Sequence, residues 1–142
     1  MPNAPFQHQE RTATEGKVVA GLVSRADRER AVTLLGSNRR RKWIQNLGSV
    51  LDPRFQKRIP AELQDAPAIA ALLRRSGAGP TCTVMSENSV LDGADLPLAE
   101  ALQATVGRGV VTLISCIPGV LAYFEDEGAG ERYLLERAPK DA

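Results

Sequence analysis

The C-terminal half of the chain alternates in short apolar runs, and the N-terminal half repeats at helical spacing. Thr81–Ser86 alternates and is rich in β-branched residues, which predicts a strand. Val110–Ile117 (VVTLISCI) is apolar on successive positions, as a strand covered on both faces should be. Pro118-Gly119 is a turn signal, so Val120–Glu125 reads as the returning arm of a hairpin. Gly128-Ala-Gly130 turns the chain again into Arg132–Glu136, where Tyr133 and Leu135 alternate with charged residues as on an exposed edge strand. Between the first two strands, Asp92-Gly93 marks a turn. Asp95 is placed to cap a helix with Pro97 near its start, and Gly107 stops that helix.

Upstream of Gly77 the period is helical. Ser24 with Asp27 resembles a capping box for Arg25–Leu35, which Gly36 would end; a longer helix from Glu15 is an alternative weakened by Gly16 and Gly21. Ser37 or Asn38 is a cap for a helix to about Leu51, with Trp43, Ile44, Leu47 and Leu51 on one face. Residues 52–64 read as an irregular connection. Asp65 caps a further helix, with Pro67 in its first turn and Gly77 at its end.

These elements predict an α+β chain: about three N-terminal helices followed by a β-α-β-β-β unit forming one small sheet. Residues 1–14 carry no period and read as a disordered tail. Residues 15–142 read as one domain, with a helical part at 15–76 and a strand-rich part at 81–137. A length of 142 residues suits a single core.

Charge adds a second division. Residues 1–76 carry 14 Lys/Arg against 7 Asp/Glu, and residues 77–142 carry 4 against 10, so a net charge of +1 conceals a basic half and an acidic half. Such a chain pairs its halves internally, binds partners of opposite sign, or associates head to tail. The most conspicuous cluster is Arg39-Arg40-Arg41-Lys42-Trp43. Cations at a helix start oppose the macrodipole, so helix stability does not explain them. With Arg54, Lys57 and Arg58 they are candidate contacts for a protein partner or for nucleic acid, Trp43 being either a stacking platform or a core residue.

Candidate chemistry is sparse. His8 is the single histidine and lies near the N-terminus, so a Ser–His or Cys–His pair is not expected. Phosphate-loop and dinucleotide glycine signatures are absent from the sequence. Glu87, Asp92 and Asp95 surround the loop after the first strand and are a candidate cation site; the alternative is a turn residue and a helix cap. Glu125, Asp126 and Glu127 suggest a solubilising loop, with a site for a basic partner as the alternative. Cys82 and Cys116 lie in apolar settings and read as reduced, inert thiols, a single bridge between them being the alternative. No catalytic residue, metal ligand set or cofactor is assigned.

The segment Ile114–Glu125 (ISCIPGVLAYFE), with Glu131–Arg137 (ERYLLER), Asp92-Gly93 and Pro97-Leu98, resembles the C-terminal end of small bacterial proteins, over roughly the last 55 residues. The resemblance implies one folded unit over 81–137 and a bacterial source, and carries no activity. The first 16 residues lack the apolar run of a secretory signal, and no run approaches the ~20 apolar residues of a spanning helix. A cytoplasmic, non-enzymatic binding or regulatory module is therefore expected, acting through its charged faces or by adding a strand along Arg132–Glu136. Its partner would be another protein or a second copy, and not a membrane. Alternatives are a nucleic-acid-associated protein using the basic half, or a metal-dependent enzyme using the loop carboxylates.

Overall fold

The computed structural model describes residues 4–128 and 131–137. Readings that fall on residues 1–3, 129–130 and 138–142 lie outside the described residues. Among the described residues there are five α-helices: α1 (Ala4–Leu22), α2 (Arg28–Leu35), α3 (Arg40–Gln45), α4 (Ala66–Arg75) and α5 (Leu98–Thr105). Six strands form one sheet: β1 (Gln56–Arg58), β2 (Thr81–Ser86), β3 (Asp95–Pro97), β4 (Thr112–Ile117), β5 (Leu121–Glu125) and β6 (Arg132–Glu136). The spatial order is β1-β6-β5-β4-β2-β3, with every neighbouring pair antiparallel. The α+β class expected from the sequence is what the chain adopts.

Both faces of the sheet are covered, which explains the unbroken apolar run of β4. Met85, Leu113, Ala122 and Phe124 point to one side, where they pack with Val18, Leu22, Ala31, Trp43 and Ile44 of α1–α3. Their neighbours in sequence, Val84, Ile114 and Tyr123, point to the other side and meet Ile69 and Leu73 of α4 and Leu98 and Leu102 of α5. A period of two thus sorts each strand into two cores. The three sequence-predicted helices do not form one layer: α4 crosses to the face opposite α1–α3.

Local signals explain most boundaries. Asp65 caps α4, its side chain accepting from the Ala68 amide at 2.8 Å, with Pro67 in the first turn. Against expectation, helix α1 starts at Ala4, so residues 4–14 are helical rather than a tail. The helix predicted to reach Leu51 ends at Gln45 and gives way to a 3₁₀ turn over Leu47–Ser49. Ser24 makes no side-chain cap bond, and α2 begins at Arg28. Asp95 caps no helix. It opens β3, and its carboxylate accepts from the Thr83 hydroxyl at 2.7 Å while α5 starts after Pro97. Proline suits so short an edge strand, where its missing N–H faces away from the ladder.

Backbone contacts tie the end of α1 to the β4–β5 turn and to the segment that leads into β1. At Gly21, any side chain would collide with the carbonyl of Gly119 in the β4–β5 turn. The Asp52 amide donates to Leu22 O, and the Ser24 amide to Val50 O, each at 2.8 Å. Segment β1 pairs with β6, so Arg132–Glu136 is an interior strand and not the expected edge. The edges are β1 and β3, three residues each, carrying Lys57 and Arg58 on one and Pro97 on the other. Short, charged or proline-bearing edges resist pairing with further strands, which removes strand addition along β6 from the candidate modes of action.

Candidate functional site

The basic cluster is split by folding into a structural cation and solvent-facing ones. Arg40 opens α3 and is 12% exposed at its side chain; it reaches Glu15 of α1 (7% exposed) and Asp92 of the β2–β3 loop (17% exposed). Its NH1 and NH2 donate to Glu15 Oε1 and Oε2 at 2.6 and 2.5 Å, its Nε and NH2 donate to Asp92 Oδ2 and Oδ1 at 2.7 and 2.9 Å, and NH1 also reaches Leu35 O. One guanidinium therefore holds two carboxylates by its fork geometry. Burial works against the charged form, but the hydrogen bonds to Asp92 and Glu15 and their charges outweigh it and raise Arg40 above its ordinary value. The basic half meets the acidic half here, within one chain.

The other cations divide in the same way. Arg54 pairs with Asp52 at 2.8 Å and lies 4.9 Å from the Phe55 ring centroid. The hydrogen bond from Arg54 holds the Asp52 carboxyl below its usual value. Lys57 pairs with Glu136 across the β1–β6 ladder at 3.4 Å. Trp43 is a core residue at 8% exposure and offers no stacking platform. Arg39, Arg41, Lys42 and Arg58 remain exposed, and none of them forms an ion pair with a described residue.

The candidate cation site is not assembled. Asp92 is committed to Arg40 and to the Ser86 amide at 3.1 Å. Glu87 accepts from the Val111 amide at 3.1 Å, and Asp95 is engaged with Thr83. Three side chains close in sequence are thus drawn onto three different partners, and among the described residues no group of three or more His, Cys, Asp or Glu could hold a metal ion. Cys82 and Cys116 are free; burial pushes their thiols up to about 11 and about 12, which leaves them protonated and sluggish.

A polar row that the sequence reading missed crosses the sheet on the α4/α5 face. Ser86 on β2 opposes Thr112 on β4, Thr112 opposes Glu125 on β5, and Glu125 opposes Arg132 on β6. Glu125, expected in a solubilising loop, is 1% exposed. Its carboxylate accepts from the Gly107 amide at 3.1 Å, the Gly109 amide at 2.9 Å and the Tyr123 hydroxyl at 2.7 Å, with Arg132 Nε at 3.5 Å. Burial, reinforced by the bond to Glu125, raises the Tyr123 phenol above its usual value, so it stays a donor. Gly107 and Gly109 have φ of +84° and +69°, values that side chains disfavour. The buried carboxylate thereby pins a loop that carries Arg108 at its tip.

Beside that loop lies a cavity of about 200 Å³ lined by Ser86, Asn88, Leu91, Thr105, Arg108 and Thr112, among others. Thr105 is 2% exposed, and its hydroxyl has no hydrogen-bond partner among the described residues. The hint in sequence was polar residues at strand positions that should be apolar: Thr112 inside VVTLISCI and Glu125 closing LAYFE. No helix among the described residues is long and apolar enough to cross a membrane. Compared with protein-family models, curated proteins and solved structures, the chain shows no match.

Proposed function

We propose that this chain is a non-enzymatic binding module that docks an acidic protein surface on the cations of α3 and its N-terminal approach. One observation carries the reading: Arg39, Arg41 and Lys42 are exposed and unpaired with any described residue, at the start of and just before a helix that Arg40, Trp43 and Ile44 lock to the body. Rigid presentation lowers the entropy lost on binding. Arg39 and Lys42, three apart, share a face, and Arg41 flanks it. Three such charges steer and select an acidic partner more than they bind it tightly. The partner is another protein or the acidic half of a second copy.

The test measures binding of a fluorescent hexaglutamate peptide at low salt, beside a single-stranded oligonucleotide of equal charge. The triple change Arg39→Glu, Arg41→Glu, Lys42→Glu should weaken peptide binding by about tenfold or more, the equivalent of roughly 0.5 kcal/mol per charge. Peptide binding that survives the triple change overturns the reading. Oligonucleotide binding without peptide binding, falling steeply with salt, transfers the site to nucleic acid.

A further inference from the structure

At the Ser86–Thr112 end of the cross-sheet row the hydrogen bonds have a direction, and the directions specify what the cavity wants. The Asn88 amide N–H donates to Ser86 Oγ at 3.0 Å, and Thr112 Oγ1 donates to Val110 O at 3.0 Å. The 2.8 Å contact between Ser86 Oγ and Thr112 Oγ1 must therefore run from serine to threonine. Both hydroxyl protons are spent on protein. The Asn88 side-chain oxygen accepts from the Val90 amide at 3.0 Å, leaving its NH₂ group to donate elsewhere. Three donors remain around the cavity: the Asn88 amide, the buried Thr105 hydroxyl, and the Arg108 guanidinium, which pairs with no described carboxylate.

Nearby acids do not neutralise these donors. Glu125 is turned to the glycine amides beneath the loop, Asp92 is held by Arg40, and Glu87 is tied to Val111. The remaining wall is apolar, from Leu91, Ala104 and Val110. At about 200 Å³ the space is smaller than the roughly 300–1,000 Å³ that drug-sized ligands occupy. The Thr105 hydroxyl is buried without an acceptor among the described residues, and the exposed Arg108 guanidinium stands beside it, so both are placed to turn to a ligand that enters the cavity.

We propose that this cavity is a binding site for a small carboxylate with a short apolar arm, its oxygens taken by Arg108, Thr105 and Asn88 and its arm lying on Leu91, Ala104 and Val110. A planar carboxylate suits the arginine fork, and the apolar wall separates it from inorganic phosphate. The site lies on the α4/α5 face of the sheet and uses none of the α3 cations, so it stands or falls independently of the partner surface.

The experiment is a ¹H–¹⁵N NMR titration of the full chain with sodium isobutyrate, with sodium phosphate and sodium chloride at matched ionic strength as separate arms. Isobutyrate should give saturable shifts concentrated in Ser86–Asn88 and Thr105–Val110. Arg108→Gln, on an exposed loop, should weaken binding about tenfold, as the loss of a charge-assisted hydrogen bond implies. Thr105→Val, which keeps shape, should weaken it several-fold with the rest of the spectrum unchanged. Shifts that are absent, that persist in Arg108→Gln, or that chloride reproduces overturn the site. Phosphate binding as tight as isobutyrate at the same amides overturns the carboxylate assignment.

Discussion

Arg40 and Arg108 are both delivered near the end of a helix, and the molecule uses them in opposite ways. Arg40 is drawn inward, where Glu15 and Asp92 occupy its fork and Leu35 O takes a further bond. Arg108 stands on a loop pinned from below by Glu125 and keeps its guanidinium exposed. Both depend on carboxylates wholly or largely shielded from solvent, but the first are ligands of the arginine and the second holds only the backbone around it. The lesson is that local charge density says little about role. The densest basic run in the chain supplies a structural clamp, while an isolated arginine between two glycines sits at the mouth of a cavity.

The contrast is broken most forcefully at Arg40. Changing Arg40→Ala leaves Glu15 and Asp92 facing each other with little solvent, and loss of one partner from a buried ionic group costs about 3–5 kcal/mol. The expected readout is a large fall in urea midpoint with the slope unchanged. Arg108→Ala should stay within about 0.5 kcal/mol of the parent, as exposed substitutions do. Similar losses at both positions would erase the distinction.

The second change asks whether Glu125 is the pin. Glu125→Gln keeps the shape but replaces one accepting oxygen by a donor, which then opposes the Gly107 or Gly109 amide or the Tyr123 hydroxyl. Hydrogen bonds to a charged group contribute about 1.5–3 kcal/mol each, and the variant should lose about 2 kcal/mol by chemical denaturation. Amide exchange should accelerate at Gly107 and Gly109 before the rest of the sheet. Uniform acceleration would mean that Glu125 supports the core rather than the loop.

How much of this was visible in the sequence depends on whether a signal was local. The Asp65 cap and the two-sided apolar run of β4 were legible because each reports its own surroundings. Segment β1 was not: Gln56-Lys57-Arg58 has no strand pattern, and only pairing with β6 makes it one. Asp95 was misassigned because an aspartate two residues before a proline fits a helix start as well as an edge strand. For the sites, Arg39, Arg41 and Lys42 stood out as a run. Their neighbour Arg40 looked identical, since its carboxylates come from 25 residues before it and 52 after. Ser86, Thr105, Arg108 and Thr112 share no motif. Register brings Ser86 to Thr112, while the end of α5 brings Thr105, and the turn after it Arg108, to the same cavity.

The smallest expected effect separates two threonines that differ only in their partners. Thr112 Oγ1 accepts from Ser86 and donates to Val110 O, so Thr112→Val strands a buried hydroxyl and a carbonyl. That should cost about 1–3 kcal/mol. The Thr105 hydroxyl has no partner among the described residues to strand, and its residue is as buried as Thr112. Thr105→Val exchanges that hydroxyl for a methyl of similar volume and should fall within about 0.5 kcal/mol of the parent in buffer without added carboxylate. Thermal melts with and without isobutyrate then complete the comparison. Binding to the folded state raises the midpoint in proportion to affinity, so the parent should gain from isobutyrate and Thr105→Val should gain less. A Thr105 variant as destabilised as the Thr112 variant, with no change in its response to isobutyrate, would place Thr105 among the structural hydroxyls of the row and leave Arg108 and Asn88 as the cavity's only spare donors.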